Sequence, residues 1–210
     1  MNKTLEKYIL DHSTPEDPLL EDLFRQTHIR FVNPNMASGF QQGKLLELIS
    51  LMIKPLYILE IGTFTGYSAI CLAKGLQENG KLVTIEINDE LSSFSGSYFK
   101  HAGLDSKIEQ LIGNALDIIP GLEYDFDLVF VDADKREYCS YFRAIIDKVR
   151  PGGFIIADNV LWGGQVFDSK TTDSQARGII EFNEMIRHEE KVEKLIIPLR
   201  DGLTLMRKVK

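Results

Sequence analysis

The sequence predicts an α/β fold, a mostly parallel β-sheet with helices on both faces. Three observations lead there. Downstream of Pro55, short β-rich runs alternate with helical segments, and parallel neighbours need crossover connections of this kind. The first run, Ile58 to Ile61, passes through a glycine-punctuated turn, Gly62-Thr63-Phe64-Thr65-Gly66, into a helical segment that starts at about Tyr67. Near the C-terminus, Arg200-Asp201-Gly202 is a tight-turn sequence, since Asp-Gly readily takes positive φ, so the last two runs form an antiparallel hairpin.

The elements follow in order. A short N-terminal helix ends at Thr14-Pro15-Glu16-Asp17-Pro18, a proline-rich break that reads as a joint within the domain. From Pro18 to about Arg30, Leu19, Leu20, Leu23 and Phe24 fit one helix face; from about Gln41, Leu45, Leu46, Leu48, Ile49 and Met52 fit another. Between them Phe31 to Gly39 is irregular. Strands are expected at Tyr57 to Ile61, Lys81 to Ile87, Ile108 to Ile112, Leu128 to Asp132, Phe154 to Asp158, Lys194 to Pro198 and Leu203 to Val209. A helix from about Ser174 to Glu190 carries Ile179, Ile180, Phe182, Met185 and Ile186 for core packing.

At 210 residues with 44% hydrophobic content, the chain suits a single domain, residues 1–210, with one α/β unit from residue 55 onward behind N-terminal helices in residues 1–53. A net charge of -7 argues against a broad phosphate-binding surface, so nucleic acid is a poor substrate candidate. Cys71 and Cys139 lack metal-ligand or disulfide-framework spacing and read as free thiols. The N-terminus has no basic region followed by a long apolar core, and no run reaches the roughly 18 apolar residues of a membrane helix. The expectation is a cytoplasmic protein without a membrane partner.

Chemistry concentrates at the strand ends. Val131-Asp132-Ala133-Asp134-Lys135 closes one apolar run and Asp158-Asn159 closes another. If those runs are neighbouring parallel strands, Asp132, Asp158 and Asn159 surround one small volume. Carboxylate and amide oxygens suit a hard divalent cation, although Asp and Asn also open ordinary turns. In the first turn, Gly62 and Gly66 allow close backbone approach to a ligand, and the helix N-terminus behind them can bind an anionic group. Their G-x-x-x-G spacing lacks the third glycine of a dinucleotide fingerprint, which disfavours a nicotinamide oxidoreductase. Glu86 ends the second strand where a carboxylate can accept from two ribose hydroxyls, and Ala115 follows the third strand in Gly113-Asn114-Ala115, beside an adenine position.

Together, Glu60-Ile61-Gly62-Thr63-Phe64-Thr65-Gly66-Tyr67-Ser68, Val131-Asp132-Ala133-Asp134-Lys135 and Asp158-Asn159-Val160-Leu161-Trp162 resemble the class I S-adenosylmethionine-dependent methyltransferases. Within them, the similarity is to the cation-dependent O-methyltransferases typified by the catechol and caffeoyl-coenzyme A enzymes. The resemblance runs from about Met36 to the C-terminus. It implies a Rossmann-like methyltransferase fold, a seven-stranded mostly parallel sheet with an antiparallel last strand, and S-adenosylmethionine lying across the strand ends.

Carried over residue by residue, the resemblance puts Glu60, Gly62, Tyr67 and Ser68 around the methionine part of the cofactor, with Ser68 reaching its carboxylate. It gives Glu86 the ribose and Ala115 the adenine rim. Met36 and Ser38 cover the cofactor near its sulfonium, with core filling as the alternative for Met36. Asp132, Asp158 and Asn159 become metal ligands, Asp132 also bordering the cofactor, for Mg²⁺ ahead of Ca²⁺ or Mn²⁺. Lys135 falls where the catechol enzymes have their proposed general base; a surface ion pair with Glu137 is the alternative. Gln41-Gln42-Gly43 departs from the acidic pair common before that glycine in the plant-like branch, and residues 1 to 35, which would help shape the acceptor pocket, match loosely.

The implied reaction is metal-assisted methylation of a small catechol-type aromatic by a homodimeric enzyme. Trp162 and Phe167 are expected to stack on the acceptor ring from a glycine-hinged loop, the alternative for Trp162 being packing against a neighbouring subunit or the domain's own helices. His12, His28, His101 and His188 are scattered and take no catalytic role. A non-catalytic cofactor-binding or assembly protein is one alternative, and behind it a nicotinamide oxidoreductase is the other.

Overall fold

The computed structural model describes residues 3–168 and 170–210; Met1, Asn2 and Ser169, the last inside the polar stretch after Phe167, lie outside the described residues. A seven-stranded sheet runs in the order β3-β2-β1-β4-β5-β7-β6. β1 (Tyr57–Ile61), β2 (Lys81–Glu86), β3 (Ile108–Ile112), β4 (Phe126–Val131) and β5 (Val149–Asp158) are mutually parallel. β7 (Leu203–Lys208) enters antiparallel between β5 and β6 (Val192–Ile197). Strand order reverses between β1 and β4, which opens the crevice at their C-terminal ends where ligands of such sheets bind.

Three expected strand starts move: β6 begins at Val192 instead of Lys194, and the other two shift for local reasons. β4 begins at Phe126 because Asp127, a charged residue in mid-strand, is used internally. Its Oδ2 accepts from the Leu56 and Tyr57 amides at 2.7 and 2.9 Å, and Arg150 pairs with its other oxygen. β5 begins at Val149 and runs through Pro151-Gly152-Gly153, where its register with β4 shifts between Phe126 and Leu128. The expected hairpin joins β6 to β7, but the left-handed residues in its turn are Arg200 and Gly202.

Strand side chains alternate between two cores. Leu59, Ile61, Val129, Val131 and Ile155 face α6 (Ala115–Ile118), α7 (Tyr138–Ile145) and α8 (Ser174–His188). Ile58, Leu82, Leu128, Phe130 and Ile156 face α2 (Pro18–Arg30), α3 (Gly39–Ile53), α4 (Tyr67–Ala73) and α5 (Ser92–His101). α1 (Lys3–Asp11) precedes them. The α2 layer is tied down by polar contacts as well, including Thr27 to Thr65 at 3.1 Å and Tyr98 to Asp22 at 2.7 Å. Among the described residues, no helix is long and apolar enough to cross a membrane.

Candidate active site

Parallel register sets the site. Ile61 pairs with Val131, and Val131 with Ala157, so Gly62, Asp132 and Asp158 leave three adjacent strand ends in one row. Gly62 has φ 101, and a Cβ there would lie 2.0 Å from the Asp132 carbonyl oxygen. This glycine is needed for the ends of β1 and β4 to approach each other. Gly66, at φ 89, similarly makes room for the Phe99 ring.

Glu60 lies beneath this turn, fully buried. Ser68 Oγ donates to its Oε1 and Thr84 Oγ1 to its Oε2, both at 2.6 Å, and Thr63 Oγ1 is 2.6 Å from Thr84 Oγ1. Burial pushes the Glu60 carboxyl up to about 8, against the lowering effect of those two donors. At the next strand end, Glu86 accepts from the Phe64 amide (2.8 Å) and the Asn88 amide (2.9 Å). It therefore caps the glycine turn, holding Phe64 at φ 47, while its remaining lone pairs can still accept from hydroxyls.

Asp158 is buried, its Oδ1 accepting from the Asn159 amide at 2.7 Å and its Oδ2 from Gln42 Nε2 at 2.5 Å. Burial first, and the negative charge of Asp132 second, push its carboxyl upward. Lys135 Nζ donates to Asp132 Oδ1 at 2.7 Å and stands 5.0 Å from the centre of the Tyr138 ring. Burial would lower the Lys135 pKa, but the Asp132 carboxylate and the Tyr138 hydroxyl outweigh it and hold the ammonium above the ordinary lysine range. The Tyr138 hydroxyl reaches the Val131 and Asp158 carbonyls at 3.1 and 3.0 Å, joining the ends of β4 and β5.

No group of three or more His, Cys, Asp or Glu side chains among the described residues is placed to hold a metal ion. The fit of a divalent cation rests instead on two neighbouring carboxylates with an amide, Asn159. One of those acids is desolvated beside the other's charge. That all-oxygen set suits a hard cation, which would relieve the repulsion raising Asp158.

A profile of the O-methyltransferase family matches residues 10–209. The chain belongs to that family. It is an enzyme of the class I S-adenosylmethionine-dependent methyltransferases, as the three motifs imply. Among curated relatives it is 36% identical to a catechol O-methyltransferase of Niastella koreensis, over 82% of each chain. It is 31% identical to a caffeoyl-CoA O-methyltransferase of Stellaria longipes, over 99% of this chain and 91% of the relative. Among solved structures, the O-methyltransferase TomG of Streptomyces achromogenes, in complex with S-adenosylmethionine, superposes with TM-score 0.92 at 36% identity, covering 99% of this chain and 96% of TomG. An O-methyltransferase of Bacillus cereus in complex with SAH superposes with TM-score 0.88 at 32% identity, covering 99% and 97%.

Within this O-methyltransferase, the fold brings Glu60, Gly62, Ser68, Glu86, Asp132, Asp158, Asn159 and Lys135 to the strand-end crevice or directly beneath it. Ala115 begins α6 behind the Asn114 cap. The hydroxyl proton of Ser68 is committed to Glu60. The Tyr67 side chain turns away: its hydroxyl donates to Glu16 and its ring packs against Phe24 in the α2 layer. Met36 is 58% exposed, which excludes core filling, whereas Ser38 is buried. Lys135 pairs with Asp132; Glu137 takes no part in that pair. Trp162, at φ 44, donates its indole N–H to Asp173 Oδ2 at 3.0 Å, anchoring its loop to the cap of α8, while Phe167 is exposed.

Several residues at the site carried no motif. Gln175 Oε1 accepts from the Lys135 amide at 2.8 Å, and Asn183 Nδ2 donates to the Val160 carbonyl at 2.8 Å. Both lie on α8, read from sequence as core packing alone. A glycine inside that helix, Gly178, was the available signal, since it costs about 1 kcal/mol against alanine there unless something requires it. A Cβ there would lie 2.4 Å from the Lys135 carbonyl oxygen.

Proposed function

We propose that this enzyme methylates one hydroxyl of a small catechol-type aromatic and that a divalent cation held by Asp132, Asp158 and Asn159 assists the transfer. The observation that carries this reading is the pair of adjacent strand-end carboxylates with Lys135 against one of them. The relatedness to a catechol and a caffeoyl-CoA O-methyltransferase points the same way. A bound cation would supply Lewis acidity, lowering the pKa of a phenol and fixing adjacent oxygens.

The chain's own groups divide the remaining work. S-adenosylmethionine is the proposed methyl donor, with Glu86 accepting from its ribose and Ala115 bordering its adenine. Glu60, Gly62, Ser68 and the start of α4 line its methionine part; Met36 and Ser38 border its sulfonium side. Two neutral-or-acidic walls, Glu60 and Glu86, favour a cationic ligand over an anionic one. Lys135 Nζ is the proposed proton acceptor. In the ion pair with Asp132 it is an ammonium without a free lone pair, so it would have to give up a proton, which losing its Asp132 partner would favour, before it could take one from the acceptor hydroxyl. Trp162, fixed through Asp173, forms an edge of the acceptor side.

The test is incubation of purified protein with S-adenosylmethionine and a panel of catechols, with Mg²⁺ or with chelator, followed by mass spectrometry. Singly methylated product is expected with Mg²⁺, reduced at least about a hundredfold by chelation, the loss corresponding to several kcal/mol of charge stabilisation. Equal product under chelator overturns the cation; no product from any catechol overturns the acceptor class.

A further inference from the structure

We propose that Arg200 and Gln42 are positioning residues, forming a relay from the β6–β7 turn through the start of α3 that sets how the Asp158 carboxylate faces and holds residues 35–38 beside it. Arg200 has φ 50, a left-handed conformation that a non-glycine residue keeps where its surroundings hold it. Its guanidinium meets four oxygens. Nη2 donates to the Asn35 carbonyl at 3.2 Å; Nη1 donates to the carbonyls of Ala37, at 3.0 Å, and of Ser38, and reaches Gln42 Oε1 at 3.4 Å. The other end of the Gln42 amide donates to Asp158 Oδ2 at 2.5 Å, and the side chain is 1% exposed.

A guanidinium only donates and a carboxylate only accepts, while an amide has one end of each kind. One orientation of Gln42 therefore satisfies both neighbours. The reverse would set its oxygen against Asp158 and its NH2 against Arg200, two repulsive contacts in a buried place. An ionised glutamate at 42 would add a third carboxylate beside Asp158. The next residue of the same turn holds the opposite loop: the Asp201 carbonyl accepts from the Leu161 amide at 2.9 Å and its Oδ1 from the Gly163 amide at 2.5 Å. Consecutive turn residues thus brace the segment carrying Met36 and Ser38 and the segment carrying Trp162.

The relay stands on side-chain geometry; its consequence for a cation at Asp158 rests on the proposed function. Two readouts separate them. In metal-free ¹⁵N-labelled protein, the Gln42 side-chain NH2 signals, assigned by their loss in Gln42→Met, should show one proton displaced downfield by the short bond to Asp158. Arg200→Met should return that signal toward the free-amide position, and Arg200→Lys should recover part of the displacement. Mn²⁺ affinity, read from the free-ion electron paramagnetic resonance signal, should fall about tenfold in each single variant, as for other groups that orient a metal ligand. The double variant should lose no more than Gln42→Met alone. Thermal unfolding establishes that each protein compared is folded; if Arg200→Met is not, Arg200→Lys is read in its place. An unmoved Gln42 signal in the folded Arg200 variant, or Mn²⁺ losses that add in the double variant, overturns the relay. A wild-type protein that binds no Mn²⁺ overturns the cation reading, and the Gln42 signal then decides the relay by itself.

Discussion

Replacing Gly178 with alanine separates helix propensity from tertiary packing. In an isolated helix the change favours folding by about 1 kcal/mol. Here the added Cβ would lie 2.4 Å from the Lys135 carbonyl oxygen and 2.7 Å from Arg136 Cα, both main-chain atoms that cannot rotate away. Overpacking of this kind costs about 1–3 kcal/mol, and moving α8 outward also stretches the 2.8 Å bond from the Lys135 amide to Gln175, worth about 1 kcal/mol more. The net expectation is destabilisation by about 1–3 kcal/mol, read as a lower urea midpoint at unchanged m-value. Methyl transfer should fall further than stability does, because the displaced segment carries Lys135, while the affinity for S-adenosylmethionine should hold. A raised urea midpoint, as propensity alone would give, refutes the claim that α8 positions this turn.

Three further outcomes follow from the site. Glu60 has a folded pKa of about 8 against an ordinary value of 4.5, so the folded state binds the extra proton between those limits and stability is lost as pH rises through them. Glu60→Gln should flatten that decline in denaturation series from pH 5 to about 8; an unchanged slope would show that Glu60 does not titrate in the window. Tyr138→Phe removes the donor shared by the Val131 and Asp158 carbonyls and should cost about 1–3 kcal/mol with a lower kcat, measured by urea melts and product formation. Unchanged stability would mean that the hydroxyl does not brace the strand ends. Glu86→Gln should raise the KM for S-adenosylmethionine about tenfold, the scale of one charge-assisted hydrogen bond, with kcat largely kept; an equal fall in kcat would assign Glu86 to the chemical step.

The site was legible in the sequence where its residues follow one another along the chain. Asp132 and Asp158 each end a continuous apolar run, and parallel pairing then makes them neighbours whatever the intervening helices do. The glycine turn and Glu86 are likewise consequences of strand ends. Gln42, Arg200, Gln175 and Asn183 were not legible, because their partners lie 116, 158, 40 and 23 positions away and no local pattern links them. Tyr67 sits within a motif but turns toward Glu16, since helix rotation follows packing against α2 and α3.

The sequence by itself determined the strand-helix order, the parallel sheet with its antiparallel final strand, and the two acids brought side by side. These depend on side-chain periodicity and on turn chemistry, which are local. Only the tertiary structure decided which groups orient those acids, that Lys135 pairs with Asp132, and that the β6–β7 turn braces both flanking loops. A hydrogen bond between distant segments is specified by where the packed cores leave each helix and turn, and that is a property of the assembled fold.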